Sequence, residues 1–128
     1  RYEVAQTGEK IAIIGLGTFF ELAKEAAKLL KEEAGINATV INPYYITGLD
    51  EALLTKLKQN HDTVITLEDG ILDGGFGEKI ARFYGASNMK VMNYGLKKEF
   101  LDRYDVDAVL KENHLTAEQI VDDVLSIS

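Results

Sequence analysis

Several short stretches put acids, glycines, histidines or paired aromatics where chemistry could be done. Glu68-Asp69-Gly70 follows directly on an apolar run, Thr63 to Leu67. Adjacent carboxylates at a strand's end suit a hard cation. The common motif of this kind opens with Gly-Asp-Gly and closes with an Asn pair. Here Glu68 stands at the first glycine and Asn88 stands alone. The expectation is therefore no metal ligand, but an acidic, solvated turn that caps a helix. Asp73-Gly74-Gly75-Phe76-Gly77 comes next, ahead of a helical stretch. Backbone N–H groups there could cradle an anion. However, Glu68, Asp69 and Asp73 would repel a phosphate, and the glycines better serve close backbone approach to another domain or subunit.

Gly15-Leu16-Gly17-Thr18 lies between a strand and a helix, as a dinucleotide fingerprint would. That fingerprint needs a third glycine where Phe20 stands and an acid at the end of the second strand, where Asn42 stands. A tight turn with Thr18 as N-cap is expected instead. His61 and His114 are the only histidines. They fall in different connections without a Ser or Cys nucleophile motif, so solvated side chains rather than catalytic ones are expected. Tyr44-Tyr45 follows the second strand, where two aromatics could wall a pocket or pack against the sheet edge. No catalytic, cofactor-binding or metal-binding residue is assigned.

The elements that must position these residues follow from periodicity. Lys10 to Ile14 is a buried strand, and Thr18 opens a helix with Leu22, Ala26, Leu29 and Leu30 on one face. Gly35 is its C-cap. Ala38 to Ile41 is a second strand. A capping box, Thr47 with Asp50, starts a helix carrying Leu53, Leu54 and Leu57. Thr63 to Leu67 is a third strand, Glu78 to Tyr84 a helix, and Lys90 to Asn93 a fourth strand. Phe100, Leu101, Tyr104, Val106 and Leu110 fall in short pieces. Thr116-Ala117-Glu118-Gln119 caps a terminal helix with Ile120, Val121, Val124 and Leu125. Strictly alternating strands and helices imply a three-layer α/β fold: a mostly parallel sheet of about five strands with helices on both faces.

The chain has 128 residues, 46% hydrophobic and 27% charged, with no cysteine and a net charge of −7. That is one domain with a real core and no disulfide framework. An acidic surface disfavours nucleic acid and anionic membrane as partners. No apolar run approaches the roughly 20 residues of a membrane helix, and a cytoplasmic location is expected. The opening Arg1-Tyr2-Glu3-Val4 has no initiator Met and no signal-peptide pattern, so the expectation is a piece of a longer chain. Residues 1–10 read as a tether from a preceding domain and residues 11–128 as the domain itself.

Six fragments in order carry a family resemblance. Ile11 to Thr18, Gly48-Leu49-Asp50-Glu51, Thr66-Leu67-Glu68-Asp69-Gly70, Gly74-Gly75-Phe76-Gly77, Asn93-Tyr94-Gly95-Leu96 with Phe100, and Asn113-His114-Leu115-Thr116-Ala117-Glu118 resemble, in that order, segments of the C-terminal domain of the transketolase superfamily. Among its members the likeness is greatest to the 1-deoxy-D-xylulose-5-phosphate synthases. The resemblance implies a homodimeric, thiamine-diphosphate- and magnesium-dependent transferase of three domains. Such an enzyme condenses pyruvate with glyceraldehyde 3-phosphate, with loss of carbon dioxide, in isoprenoid and thiamine precursor synthesis. It also implies that this piece binds no cofactor and is inactive alone. Its partners would be the preceding domains and a second subunit, and it would support the dimer and border the substrate channel. Glu68, Asp69, Gly74, Gly75 and Gly77 would then make interdomain or dimer contacts. The synthases carry an arginine toward the substrate phosphate where Tyr44 stands, which puts Tyr44 in the phosphate's vicinity and leaves the acceptor open. A transketolase, a pyruvate dehydrogenase beta-type subunit and a stand-alone protein-interaction module remain the alternatives.

Overall fold

The computed structural model describes residues 1–44, 48–71, 75–96 and 106–127, with residues 69–71, 96 and 106 described by backbone alone. The elements in chain order are β1 (Glu3–Gln6), β2 (Lys10–Gly15), α1 (Phe19–Ala34), β3 (Thr39–Asn42), α2 (Glu51–Leu57), β4 (His61–Ile71), α3 (Phe76–Tyr84), β5 (Lys90–Leu96), α4 (Val106–Glu112) and α5 (Ala117–Ser126). The strands form one five-stranded sheet in the order β1-β3-β2-β4-β5. Four run parallel, and β1 alone is antiparallel, on the β3 edge.

The central strands read as unbroken apolar runs because both faces are covered. Alternate residues go to opposite sides. Ile11, Ile13, Val40, Ile65 and Leu67 join Ala23, Ala26, Leu30, Ile120, Val121 and Val124 in the layer under α1 and α5. Ala12, Ile14, Ile41 and Val64 join Leu54, Leu57, Phe76, Ile80 and Tyr84 in the layer under α2 and α3. The period of two along a strand sends each set to its own face.

The local signals differ from expectation at several ends. Residues 3–6 form β1, where the periodicity had indicated no strand. Thr18 is the N-cap position of α1, but its side chain makes no capping bond. The connection works because Gly15 lacks a Cβ, which would sit 2.6 Å from the Phe19 carbonyl oxygen. In α2, Asp50 is itself the cap: its carboxylate accepts from the Leu53 N–H at 3.2 Å. It is therefore not the third-position acid of a box. Thr47, the other half of that expected pair, lies outside the described residues. At α5 the expected cap forms, with Thr116 Oγ1 accepting from the Gln119 N–H at 3.2 Å. Gln119 reaches back in turn, its Oε1 accepting from the Thr116 hydroxyl at 2.8 Å, while its Nε2 donates to the Lys111 carbonyl at 3.0 Å.

Candidate functional site

The chain winds from β2 outward to β3 and then returns past β2 to β4. Where winding reverses, the two connections leave on opposite faces and open a crevice at the strands' carboxyl ends. That edge carries the end of β2 at Gly15, the end of β3 at Asn42 and the later part of β4 around Glu68. Leu16 closes its floor, donating from its backbone N–H to the Leu67 carbonyl at 2.9 Å.

Among the described side chains, Glu68 is the acid buried at this edge. It is only 4% exposed. One carboxylate oxygen accepts from the Phe76 N–H at 3.2 Å and the other from the Gly77 N–H at 2.7 Å. These are unfilled donors of the first turn of α3, and a carboxylate there also meets the positive end of the helix. The helix consequently begins at Phe76, two residues ahead of the Glu78 expected from periodicity. The expected capping role is present, but the expected solvation of Glu68 is not. Beneath it, Thr66 Oγ1 donates to Asn93 Oδ1 at 2.6 Å, tying β4 to β5. Gly77 lies on this pair: a Cβ there would sit 2.7 Å from Asn93 Cγ and Oδ1 and 2.8 Å from Thr66 Oγ1. Its missing side chain thus permits close approach within the domain. Gly75 is the N-cap position of α3, with φ −83° and ψ −170°.

Tyr44 stands just beyond β3 in a left-handed conformation, φ 49°. Asn42 Oδ1 accepts its N–H at 3.1 Å, the local bond by which an Asn side chain imitates a turn. The ring is 63% exposed. The phenol donates to Glu3 Oε1 at 2.6 Å, and that bond and charge push its pKa up. The residue is thus a neutral hydroxyl already engaged by an acid. Glu68, Gly75 and Gly77 cluster at the start of α3, while Tyr44 lies across β2 on the β3 side. Asp69 is in β4 by its backbone, and Tyr45, Asp73 and Gly74 lie outside the described residues.

His61 is not the solvated group expected, whereas His114 is exposed as expected but carries a partner. His61, the first residue of β4, is half-buried. Its Nδ1 donates to the Leu57 carbonyl at 3.1 Å, and Nε2 lies 2.7 Å from Thr39 Oγ1. Thr39 Oγ1 also accepts from the Gly8 N–H at 2.9 Å. Burial lowers the His61 pKa, so the ring is neutral with its proton on Nδ1. His114, in the left-handed region at φ 58°, pairs through Nδ1 with Asp123 Oδ2 at 2.9 Å, and Tyr94 donates to the same oxygen at 2.8 Å. This group fastens α5 to β5. Sequence reading missed it because the partners are brought together only by tertiary packing. The Thr66–Asn93 pair had a signal, since both residues fall in fragments that carried the family likeness.

A diphosphate–magnesium group does not fit these residues. Both oxygens of Glu68 are bonded to α3, and among the described residues no three His, Asp or Glu side chains are grouped to hold a metal ion.

An open, mostly parallel sheet with this winding and carboxyl edge defines a doubly wound α/β domain. The chain belongs to the transketolase C-terminal domain family, whose model matches residues 1–120. The curated relatives it matches include the 1-deoxy-D-xylulose-5-phosphate synthase of Symbiobacterium thermophilum, 38% identical over 94% of this chain, and that of Lysinibacillus sphaericus, 32% identical over 94%. The chain spans 19% of the length of each. Among solved structures, an inactive beta4 tetramer of a split-gene transketolase superposes with TM-score 0.86 at 29% identity, covering 98% of this chain and 41% of that one. The transketolase of Campylobacter jejuni shares the fold, with TM-score 0.69 at 18% identity over 98% of this chain and 18% of its own.

Proposed function

We propose that the chain is the non-catalytic C-terminal domain of a thiamine-diphosphate-dependent 1-deoxy-D-xylulose-5-phosphate synthase. In that role it supports the homodimer and borders the substrate channel with its carboxyl edge. The observation that carries this reading is likeness along nearly the whole chain to synthases about five times its length. Thiamine diphosphate would supply the carbanion chemistry from the preceding domains, and no residue of this chain is given a step in it. The chain's own contribution is a rigid edge, with α3 fixed by Glu68 and Tyr44 presented beyond β3. A cytoplasmic location and the two-part division, residues 1–10 as tether and 11–128 as domain, belong to the same proposal.

The test is the parent gene. Its reading frame should extend several hundred residues upstream, and the longer product should release carbon dioxide from pyruvate in the presence of glyceraldehyde 3-phosphate. Removing this domain should abolish that turnover. A frame without upstream coding sequence, or a longer protein with no such turnover, sinks the proposal. A second reading, the end of a transketolase subunit, is favoured by the superposition on the split-gene enzyme. Ketol transfer between sugar phosphates, with no need for pyruvate, would select it.

A further inference from the structure

Two consecutive residues, Tyr2 just ahead of β1 and Glu3 at its start, reach the carboxyl edge of the sheet. Tyr2 is half-buried against the core layer of α2 and α3. Its ring faces Phe76, the first residue of α3, at 6.1 Å between centroids and 60° between planes. Its phenol donates to the Gly48 carbonyl at 3.0 Å, and its backbone N–H donates to Asp50 Oδ2 at 3.1 Å. The other oxygen of Asp50 caps α2 through Leu53. Glu3, the next residue, accepts the Tyr44 hydroxyl. Tyr2 and Glu3 therefore hold both flanks of the connection between β3 and α2, with Tyr44 on one side and Gly48 and Asp50 on the other.

This differs from ordinary edge packing. All four residues of β1 are exposed, and its ladder serves only β3. Tyr2 adds contacts of another kind, to α2's cap and to the start of α3. The helix it touches is the one Glu68 fixes, so a single side chain spans the two halves of the edge.

We propose that Tyr2 is a positioning residue that sets the Tyr44-bearing connection against the N-terminus of α3, and thereby sets the edge's selectivity for a phosphorylated acceptor. The role in selectivity rests on the synthase reading given above; the positioning role does not.

Two measurements test this. In the 128-residue chain, Tyr2→Ala should speed amide exchange at Leu53 and Leu54 by about tenfold, as loss of one or two local bonds does. Ile13 and Ile65 in the central strands should be unchanged. Tyr2→Phe keeps the ring and the backbone bond and loses only the bond to Gly48. In the longer enzyme it should raise KM for glyceraldehyde 3-phosphate by about two- to tenfold. There kcat and KM for pyruvate should stay within about twofold, a split that mere destabilisation does not give. Unchanged exchange at Leu53 and Leu54 overturns the positioning role. A common fall in kcat with unmoved KM overturns the selectivity role. If the unaltered longer protein makes no deoxyxylulose phosphate, the synthase reading fails, while the exchange result still decides what Tyr2 does.

Discussion

On the synthase reading, a phenol stands at Tyr44 where those enzymes would place a guanidinium, and it is already bonded to Glu3. A phenol gives one neutral donor, whereas arginine gives a charged fork matched to phosphate. Tyr44→Arg in the longer enzyme should therefore lower KM for glyceraldehyde 3-phosphate. Glu3 will compete for the new charge, so the full gain, about tenfold or more for a charge-assisted bond, is expected in Glu3→Gln/Tyr44→Arg. Steady-state kinetics on both variants decides it, and an unmoved or higher KM in the double variant makes Tyr44 a packing residue. His61 gives a prediction for the domain alone. Burial holds its folded pKa below the ordinary value, although Asp62 and Glu9 pull upward. The unfolded chain then binds the proton more readily, so stability is full above about pH 6.5 and falls as pH drops below it. His61→Gln should flatten that part of a denaturation-midpoint curve, above the range where carboxylates titrate. An identical slope in the variant would show that His61 is not the group responsible.

At the scale of elements, the parallel core was legible because central strands buried on both faces need only apolar residues in runs bounded by turn residues. Lys10–Gly15, ending in glycine, and Thr39–Asn42, followed by Pro43, announce themselves in this way. Four-residue β1, Glu-Val-Ala-Gln, has no alternation and only Val4 and Ala5 as apolar residues, and it is a strand because β3 offers it a ladder. The start of α3 was misjudged for a related reason. Its first N–H groups are satisfied by Glu68, eight and nine residues earlier, which no local pattern encodes. The site was legible in residue types but not in their use: Glu68 was marked for the end of β4, yet its burial depends on α3 folding back over it. α3 meets β4 and β5 closely at Gly77, which lies on the Thr66–Asn93 pair. Gly77→Ala should force those side chains apart and cost about 1–3 kcal/mol, the usual penalty of overpacking, despite alanine's better helix propensity. Urea denaturation measures it, and a stability gain would mean that the two side chains swing away freely.

For the molecule as a whole, the question is which surface meets the rest of a longer protein. The two core layers lie inside the domain, under α1 with α5 and under α2 with α3, so contact is left to the sheet edges, the helix ends and the outward helix faces. The start of α3 is suited to this. Its carboxylate is satisfied internally, leaving no uncompensated buried charge for a partner to neutralise. Gly75, at the N-cap, adopts an extended backbone that any residue can take, so its lack of a side chain is not demanded by conformation. Close approach of a second backbone would demand it. Gly75→Leu is therefore expected to leave the 128-residue domain folded, with a denaturation midpoint within about 0.5 kcal/mol of the parent, as for surface changes generally. The same substitution in the longer enzyme should weaken the dimer by about tenfold or more, since an overpacked contact costs 1–3 kcal/mol. Sedimentation at decreasing concentration reads the dissociation directly. Equal dissociation in parent and variant would move the subunit contact away from α3. Loss of folding in the short chain would instead show that Gly75 answers a packing need inside the domain.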